Sequence, residues 1–353
     1  MQLIFMKGIA RILFFLTAVF TASCSRTGIV YNVPVKLVRP EVTVSQIRDT
    51  AFNFSFPEVL QSYNLQIVDD SVLVIEEQIA DPGQYCFKAY SINTFNYLGA
   101  FIRKGRGPGE MIDPRLTGSN SQTPGINLYD MGKAYIVDVN ESLESGHTSI
   151  IREYDLPSTV LEWMPMPDEE QFVMLFEDNE FVFNLIENNG AISQTFSLFK
   201  QADGKQYVTH LSNILANDGC SGKVAGFMLL FPQFCIMDTE SGQVLSFAVD
   251  PAYKKWKSIL YKRIWKDNID YYTGVTSTQD YIFATYKGVP ISSTYNKDQG
   301  TSIHIFDWNG HFLYDIDVTE NIDNMAFDNR TGYLYCHERI EDRIVRYDLS
   351  FLL

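Results

Sequence analysis

Positive charge is in short supply: 28 lysines and arginines face 43 acids, for a net charge of −15. The first 23 residues hold Lys7, Arg11 and no acid, so the remainder carries −17. Such a surface is repelled by phosphodiester backbones, and no nucleic-acid partner is expected. Cysteine is sparse too, and the five present include no CxxC pair, which removes metal-ribbon and thioredoxin-type sites. The histidines (His147, His210, His304, His311 and His337) show no HxxxH spacing, so neither a metal nor a cofactor is expected. The GxSxG elbow and a GxGxxG turn after a strand are missing as well, and no catalytic residue is assigned. Between residues 40 and 250 no sustained helical period exists.

What is abundant is aromatic: 25 Phe and 20 Tyr, with only 20% charged residues, favour strands over helices. The amino terminus carries a separate signal. Lys7 and Arg11 precede a short apolar stretch, 12–20, and Thr21, Ala22 and Ser23 then lead to Cys24. About ten apolar residues are too few to span a bilayer, and the pattern predicts a cleaved secretory signal peptide over 1–23. Cys24 in this setting resembles the lipobox cysteine of bacterial lipoproteins, although Thr21 stands where that motif usually has Leu. The resemblance implies lipidation at Cys24 and a membrane anchor, with 24–40 as linker. Ordinary cleavage between 22 and 25, leaving a soluble periplasmic protein, is the alternative. Of the remaining cysteines, Cys86, Cys235 and Cys336 sit in apolar strand-like runs and are expected to be buried free thiols. Cys220 and Cys235 are the only pair close in sequence.

Beyond residue 40 one pattern recurs. An apolar strand ends in an acid or amide, a turn follows, and another strand begins, as in 181–193, 234–247 and 302–316. The strand-ending residues are Asn93, Asp138, Glu187, Asp238, Asp307 and Asp348, spaced 45, 49, 51, 69 and 41 residues apart. A period of about fifty suits one four-stranded antiparallel sheet per unit. Six such sheets set radially bury both faces of each against its neighbours. The expected fold is therefore all-β: a six-bladed β-propeller over 41–353, built as one domain and a monomer. The chain stops just after the sixth repeat, so an N-terminal strand should close the ring, with 29–38 and 41–47 as candidates.

The segment 101–114, FIRKGRGPGEMIDP, resembles a signature of TolB-like six-bladed propeller lipoproteins, a family abundant in Bacteroidetes. Gly105, Gly107, Pro108, Gly109, Glu110 and Pro114 carry the likeness, which implies fold and export but no assigned activity. The start of the mature chain, Cys24-Ser25-Arg26-Thr27, lacks the acidic cluster that resembles surface-export signals. The periplasmic face of the outer membrane is the expected location, with a soluble periplasmic or surface-exposed protein as alternatives.

Two segments are candidates for ligand binding. Loop 105–110 could cradle an anion, with Arg103, Lys104 and Arg106 adding charge. Its simpler role is a connection between blades in which Glu110 accepts backbone hydrogen bonds. Segment 252–267 places Tyr253 and Trp256 at helical spacing with Lys254 and Lys255 on other faces. It either binds an anionic group or partner or merely caps the propeller. Both segments, with loop 287–300, should emerge on one face, where loops on a rigid scaffold commonly form sites. The leading expectation is a non-catalytic binding or scaffold module at the cell envelope, whose partner is a protein, peptide or envelope glycan. The rival is a propeller lyase or hydrolase acting on a polysaccharide or lactone at the channel mouth.

Overall fold

The structure, a computed structural model, describes residues 33–353 apart from 46–47, 60, 79, 118–124, 158, 179, 200–212 and 256–267. Strands β4–β7 (Ser62–Val68, Val72–Glu77, Tyr85–Ser91, Tyr97–Arg103) form blade 1. Blade 2 is β8–β11 (Arg115–Leu116, Ile126–Asp130, Lys133–Asp138, Ser149–Asp155), and blade 3 is β12–β15 (Val160–Pro165, Gln171–Glu177, Glu180–Ile186, Ile192–Phe196). Blade 4 is β16–β19 (Asn213–Asn217, Lys223–Met228, Gln233–Asp238, Val244–Ala248). Blade 5 is β20–β23 (Ile269–Ser277, Tyr281–Pro290, Thr301–Asp307, Phe312–Val318). Blade 6 takes β24–β26 (Ile322–Asp328, Tyr333–Glu338, Arg343–Asp348) and a fourth strand, β3 (Arg48–Phe54), from the amino terminus. The molecule is a six-bladed β-propeller.

Blade 1 shows why these sequences read as almost unbroken apolar runs. Along β5, Val72 and Val74 enter the cluster shared with blade 2, while Leu73 and Ile75 enter the cluster shared with blade 6. Successive side chains on a strand point to opposite faces, so a strand buried on both faces is apolar at every position. The core is divided accordingly into six clusters, one at each joint between blades. Cys86, Cys235 and Cys336 lie buried in these clusters, Cys220 is exposed, and no disulfide joins any of the four.

The recurring acids end the third strand of successive blades, and four of them share one task. Asp138 accepts a hydrogen bond from the backbone N–H of Glu141, Asp238 from Ser241, Asp307 from Asn309 and His311, and Asp348 from Ser350. A short carboxylate that bonds the backbone two or three residues on holds a tight turn in shape. In blade 2 the turn grows into a helix, Val139–Ser145, capped by that same Asp138.

Around the axis, side chains of the inner strands bond to the backbone of an adjacent blade. Asn324 donates to Tyr63 O at 2.6 Å, Asn64 to Leu116 O at 3.4 Å, Asn217 to Pro165 O at 2.7 Å and Ser277 to Asn217 O at 2.6 Å. Between blades 5 and 6 the strands press closer still. A Cβ on Gly274 would lie 1.9 Å from Asp323 O.

The amino-terminal segment departs from expectation. The closing strand is neither 29–38 nor 41–47 but β3, which pairs antiparallel with β26 through Ile344–Phe54 and Val345–Asn53. Only this segment both reaches blade 6 and leads directly into β4, and Phe52 and Phe54 add to the cluster between blades 6 and 1. The upstream candidates are strands elsewhere, where described. β1 (Val35–Leu37) runs parallel to β19 on the rim of blade 4, and β2 (Val42–Ser45) runs parallel to β23 on the rim of blade 5. Val35–Leu37, expected as linker, is thus part of the propeller, and Val38 is buried between blades 4 and 5. The chain forms a belt along three successive rims before entering the ring. Residues 1–32, including Cys24, lie outside the described residues.

Candidate functional site

Loop 105–110 links the last strand of blade 1 to the first of blade 2. The Glu110 carboxylate folds back and accepts the Gly107 N–H at 2.8 Å. A Cβ on Gly105 would fall 1.9 Å from Glu110 Oε2, so the glycine makes room for this internal acid. Asp130 of blade 2 then accepts the N–H groups of Ile112 at 3.0 Å and Asp113 at 2.7 Å, fastening the loop to its neighbour. The place an anion would take in the loop is occupied by the protein's own carboxylate.

Arg103 is exposed and lies over the Tyr85 ring at 4.9 Å, donating to the Tyr85 hydroxyl at 3.1 Å. Arg106 is exposed on the loop itself. Lys254 is exposed in the short turn Pro251–Lys255, its ammonium 5.8 Å from the Tyr253 ring. The side chain of Lys255 and the whole of Trp256 lie outside the described residues. Arg103 and Arg106 belong to the connection from blade 1 to blade 2, Lys254 to that from blade 4 to blade 5. They share a face of the ring but stand on opposite sides of it. Loop 287–300 opens on the same face as the fourth-to-fifth connection, to which the bond from Ile291 N–H to Asn268 O ties it.

A different set of side chains does converge. On an inner strand solvent is met only in the central channel or at its mouth, so exposed inner-strand side chains mark that passage. Tyr63 on β4 is 38% exposed and Leu161 on β12 is 47% exposed. Burial raises the Tyr63 phenol above its ordinary pKa; Glu76 and Glu162 push the same way, and Arg115 and Arg339 oppose them. Glu162 belongs to blade 3 and Tyr63 to blade 1, which are not neighbours. Their influence on each other therefore crosses the channel.

On one side of the mouth, Arg115 opens the inner strand of blade 2, 5.9 Å from the Tyr63 ring. Its guanidinium bonds Glu76 and Asp113, each at 3.3 Å. Desolvation lifts Glu76 to a pKa of about 7 against the opposing pull of the Leu116 N–H and Arg115. On the opposite side, Lys287 is wholly buried and sits 2.9 Å from Asp323, also donating to Asn321. Arg339 completes the group, 2.7 Å from Asp323 and 4.5 Å over the Tyr295 ring. Burial pushes Asp323 upward, but Lys287 and Arg339 outweigh it and hold the carboxyl below its usual range. Nearby Asp270, raised by burial, accepts a hydrogen bond from Thr294 at 3.1 Å.

Glu162 stands apart. Protein surrounds it, yet it remains partly reachable by solvent, and desolvation alone lifts it to about 7. Its carboxyl has no hydrogen bond or ion pair among the described residues. A carboxyl of this kind can accept a ligand's donor, pair with a cation, or exchange a proton near neutrality. No cluster of three or more His, Cys, Asp or Glu suited to a metal occurs among the described residues.

None of these residues falls in a linear motif. Their signal is a charged residue interrupting an apolar strand, as Glu76 in VLVIEE, Lys287 in YIFATYKGVP and Asp323 in IDNMAFD. That pattern marks a buried charge but not which blades will bring the charges together.

No protein-family model matches the sequence, and no curated protein matches it. Solved structures do. A protein of Bacteroides fragilis NCTC 9343 that carries the name exported protein superposes with a TM-score of 0.54 at 12% identity, over 87% of this chain and 99% of its own. A member of the DUF4221 family from Bacteroides vulgatus ATCC 8482 superposes with a TM-score of 0.53 at 12% identity, over 84% and 95%. At such identities the likeness is one of fold: this chain shares its propeller architecture with proteins of Bacteroides.

Proposed function

We propose that this chain is an exported, lipid-anchored propeller of the cell envelope that binds a ligand at its channel mouth without transforming it. The observation that carries this reading is the convergence on Tyr63 of charged side chains from four blades, two of them arginines already held by carboxylates. Such arginines are rigid and electrically satisfied, which suits recognition through shape, stacking and hydrogen bonds. Arg103, Arg106 and Lys254, farther out on the same face, extend the surface toward a protein, peptide or glycan partner. The signal-like amino terminus and Cys24 support export and anchoring, as does the shared fold with a Bacteroides protein named as exported.

Two experiments test the proposal. Purified protein screened on arrays of envelope glycans and peptides should select a ligand, and Tyr63→Ala should weaken that ligand by about tenfold or more. Thr43→Ala on the outer rim should leave it unchanged. Equal loss in both variants would count against the mouth. For the anchor, Cys24→Ala should move the protein from the membrane fraction to the soluble periplasm, and full membrane retention would rule out lipid attachment.

A second reading, a lyase or hydrolase, draws on Glu76 and Glu162, whose carboxyls are both placed near 7. Groups so poised can act as acid or base at neutral pH. Turnover of an array polysaccharide or lactone that disappears in Glu162→Gln while binding persists would favour it.

A further inference from the structure

We infer that the ligand of the channel mouth is a neutral glycan, an oligosaccharide whose sugar faces lie on Tyr295 and Tyr63 while its hydroxyls bond the arginine–carboxylate pairs beside those rings. The inference rests on the mouth being a binding site and names the class of molecule that fills it. Four side chains follow one another in blade order, each placed by its contacts. Tyr295, in the 287–300 loop of blade 5, lies 4.5 Å from the Arg339 guanidinium of blade 6. Arg339 bonds Asp323 at 2.7 Å, and the next residue, Asn324, donates to Tyr63 O of blade 1 at 2.6 Å. Ser62, just before Tyr63, donates its N–H at 3.3 Å to Asp342 of the loop that carries Arg339. Arg115 of blade 2 then stands 5.9 Å from the Tyr63 ring. Ring and guanidinium alternate along an arc of four adjacent blades.

The state of each group selects the ligand. Both rings are open to solvent, Tyr295 at 58% and Tyr63 at 38% exposure, and offer apolar surface beside polar neighbours. A pyranose has the matching form, with C–H groups on its faces and hydroxyls around its edge. The charges next to the rings are already paired, Arg115 with Glu76 and Asp113, and Lys287 and Arg339 with Asp323. An ionic ligand would compete with these partners and disturb the buried Glu76 or Asp323. A hydroxyl donates and accepts at once, and an arginine–carboxylate pair sets N–H groups next to lone pairs. Arg115, Asp113 and Arg339 keep part of their side chains exposed, so these groups can be reached. The alternation of ring and polar pair suits a chain of like units, whereas a peptide changes its side chain at every step. The mature chain's net charge of −17 also repels an acidic glycan.

The test uses the full purified protein in detergent and calorimetry. Hexasaccharides of glucose, mannose, galactose and xylose serve as neutral probes and hexagalacturonate as the acidic one. At least one neutral hexasaccharide should bind about tenfold or more tighter than hexagalacturonate, and its affinity should withstand a roughly tenfold rise in sodium chloride. Tyr295→Ala should weaken it by about tenfold at an unchanged melting temperature, because the ring is mostly exposed, and Tyr295→Phe should retain most of the affinity. No binding by any neutral probe, tighter binding of hexagalacturonate, or full affinity in Tyr295→Ala would overturn the inference. If instead a peptide from the array binds and Tyr63→Ala weakens it, the mouth remains a site and only the sugar assignment falls.

Discussion

Three desolvated side chains, His304 and Glu76 buried and Glu162 partly so, tie the stability of this propeller to pH, in opposing directions. Burial lowers His304, between blades 4 and 5, to a pKa of about 3, so the folded protein keeps it neutral. The unfolded chain protonates it below about 6.5, and stability is lost as the pH falls from there toward 3, at up to about 1.4 kcal/mol per unit. Glu76 and Glu162 act in reverse. Their folded pKa values of about 7 lie above the unfolded value near 4.5, so their contribution is full below 4.5 and disappears as the pH rises through 7. Melting temperatures measured from pH 4 to 8 should show a shallower acid-side decline in His304→Gln and a shallower neutral-side decline in Glu162→Gln. Unchanged slopes in either variant would contradict the assignment. A steric prediction belongs to the same scale. Gly274→Ala forces a methyl into Asp323 O and should cost about 1–3 kcal/mol or more in denaturant unfolding, because both partners are inner-strand backbone with little room to yield.

Among the elements, the belt separates closure from reinforcement. β3 supplies the outer strand of blade 6 and inserts Phe52 and Phe54 at the joint with blade 1, whereas β1 and β2 only thicken finished blades. A chain starting at residue 40 should therefore fold with a modestly lowered melting temperature. One starting at residue 58 should lose cooperative unfolding altogether, as read by calorimetry. Equal behaviour of the two truncations would deny β3 its closing role. The sequence shows part of this. The acid-ended strands were legible because one carboxylate per turn is a local requirement, repeated in blades 2, 4, 5 and 6 by Asp138, Asp238, Asp307 and Asp348. β3 was not legible, since the apolar runs 29–38 and 41–47 stand out more strongly and only the pairing with β26 singles out Arg48–Phe54. The mouth was hidden for a related reason. Tyr63, Arg115, Glu162 and Arg339 come from four blades, and nothing local in the chain registers their meeting across a channel.

For the whole molecule, the order in which the chain appears and the order in which its contacts can form are opposed. Val35 waits for Ser246, Val42 for Tyr314, and Asn53 for Val345, each more than two hundred residues downstream. Strands β1, β2 and β3, made early, are thus the last to find their places. Contacts this remote carry a large chain-closure cost and slow the final step of folding. Until the sixth sheet exists, the leading segment must be kept from pairing with the bare rims of other copies. Assembly of this propeller is gated by its sixth blade.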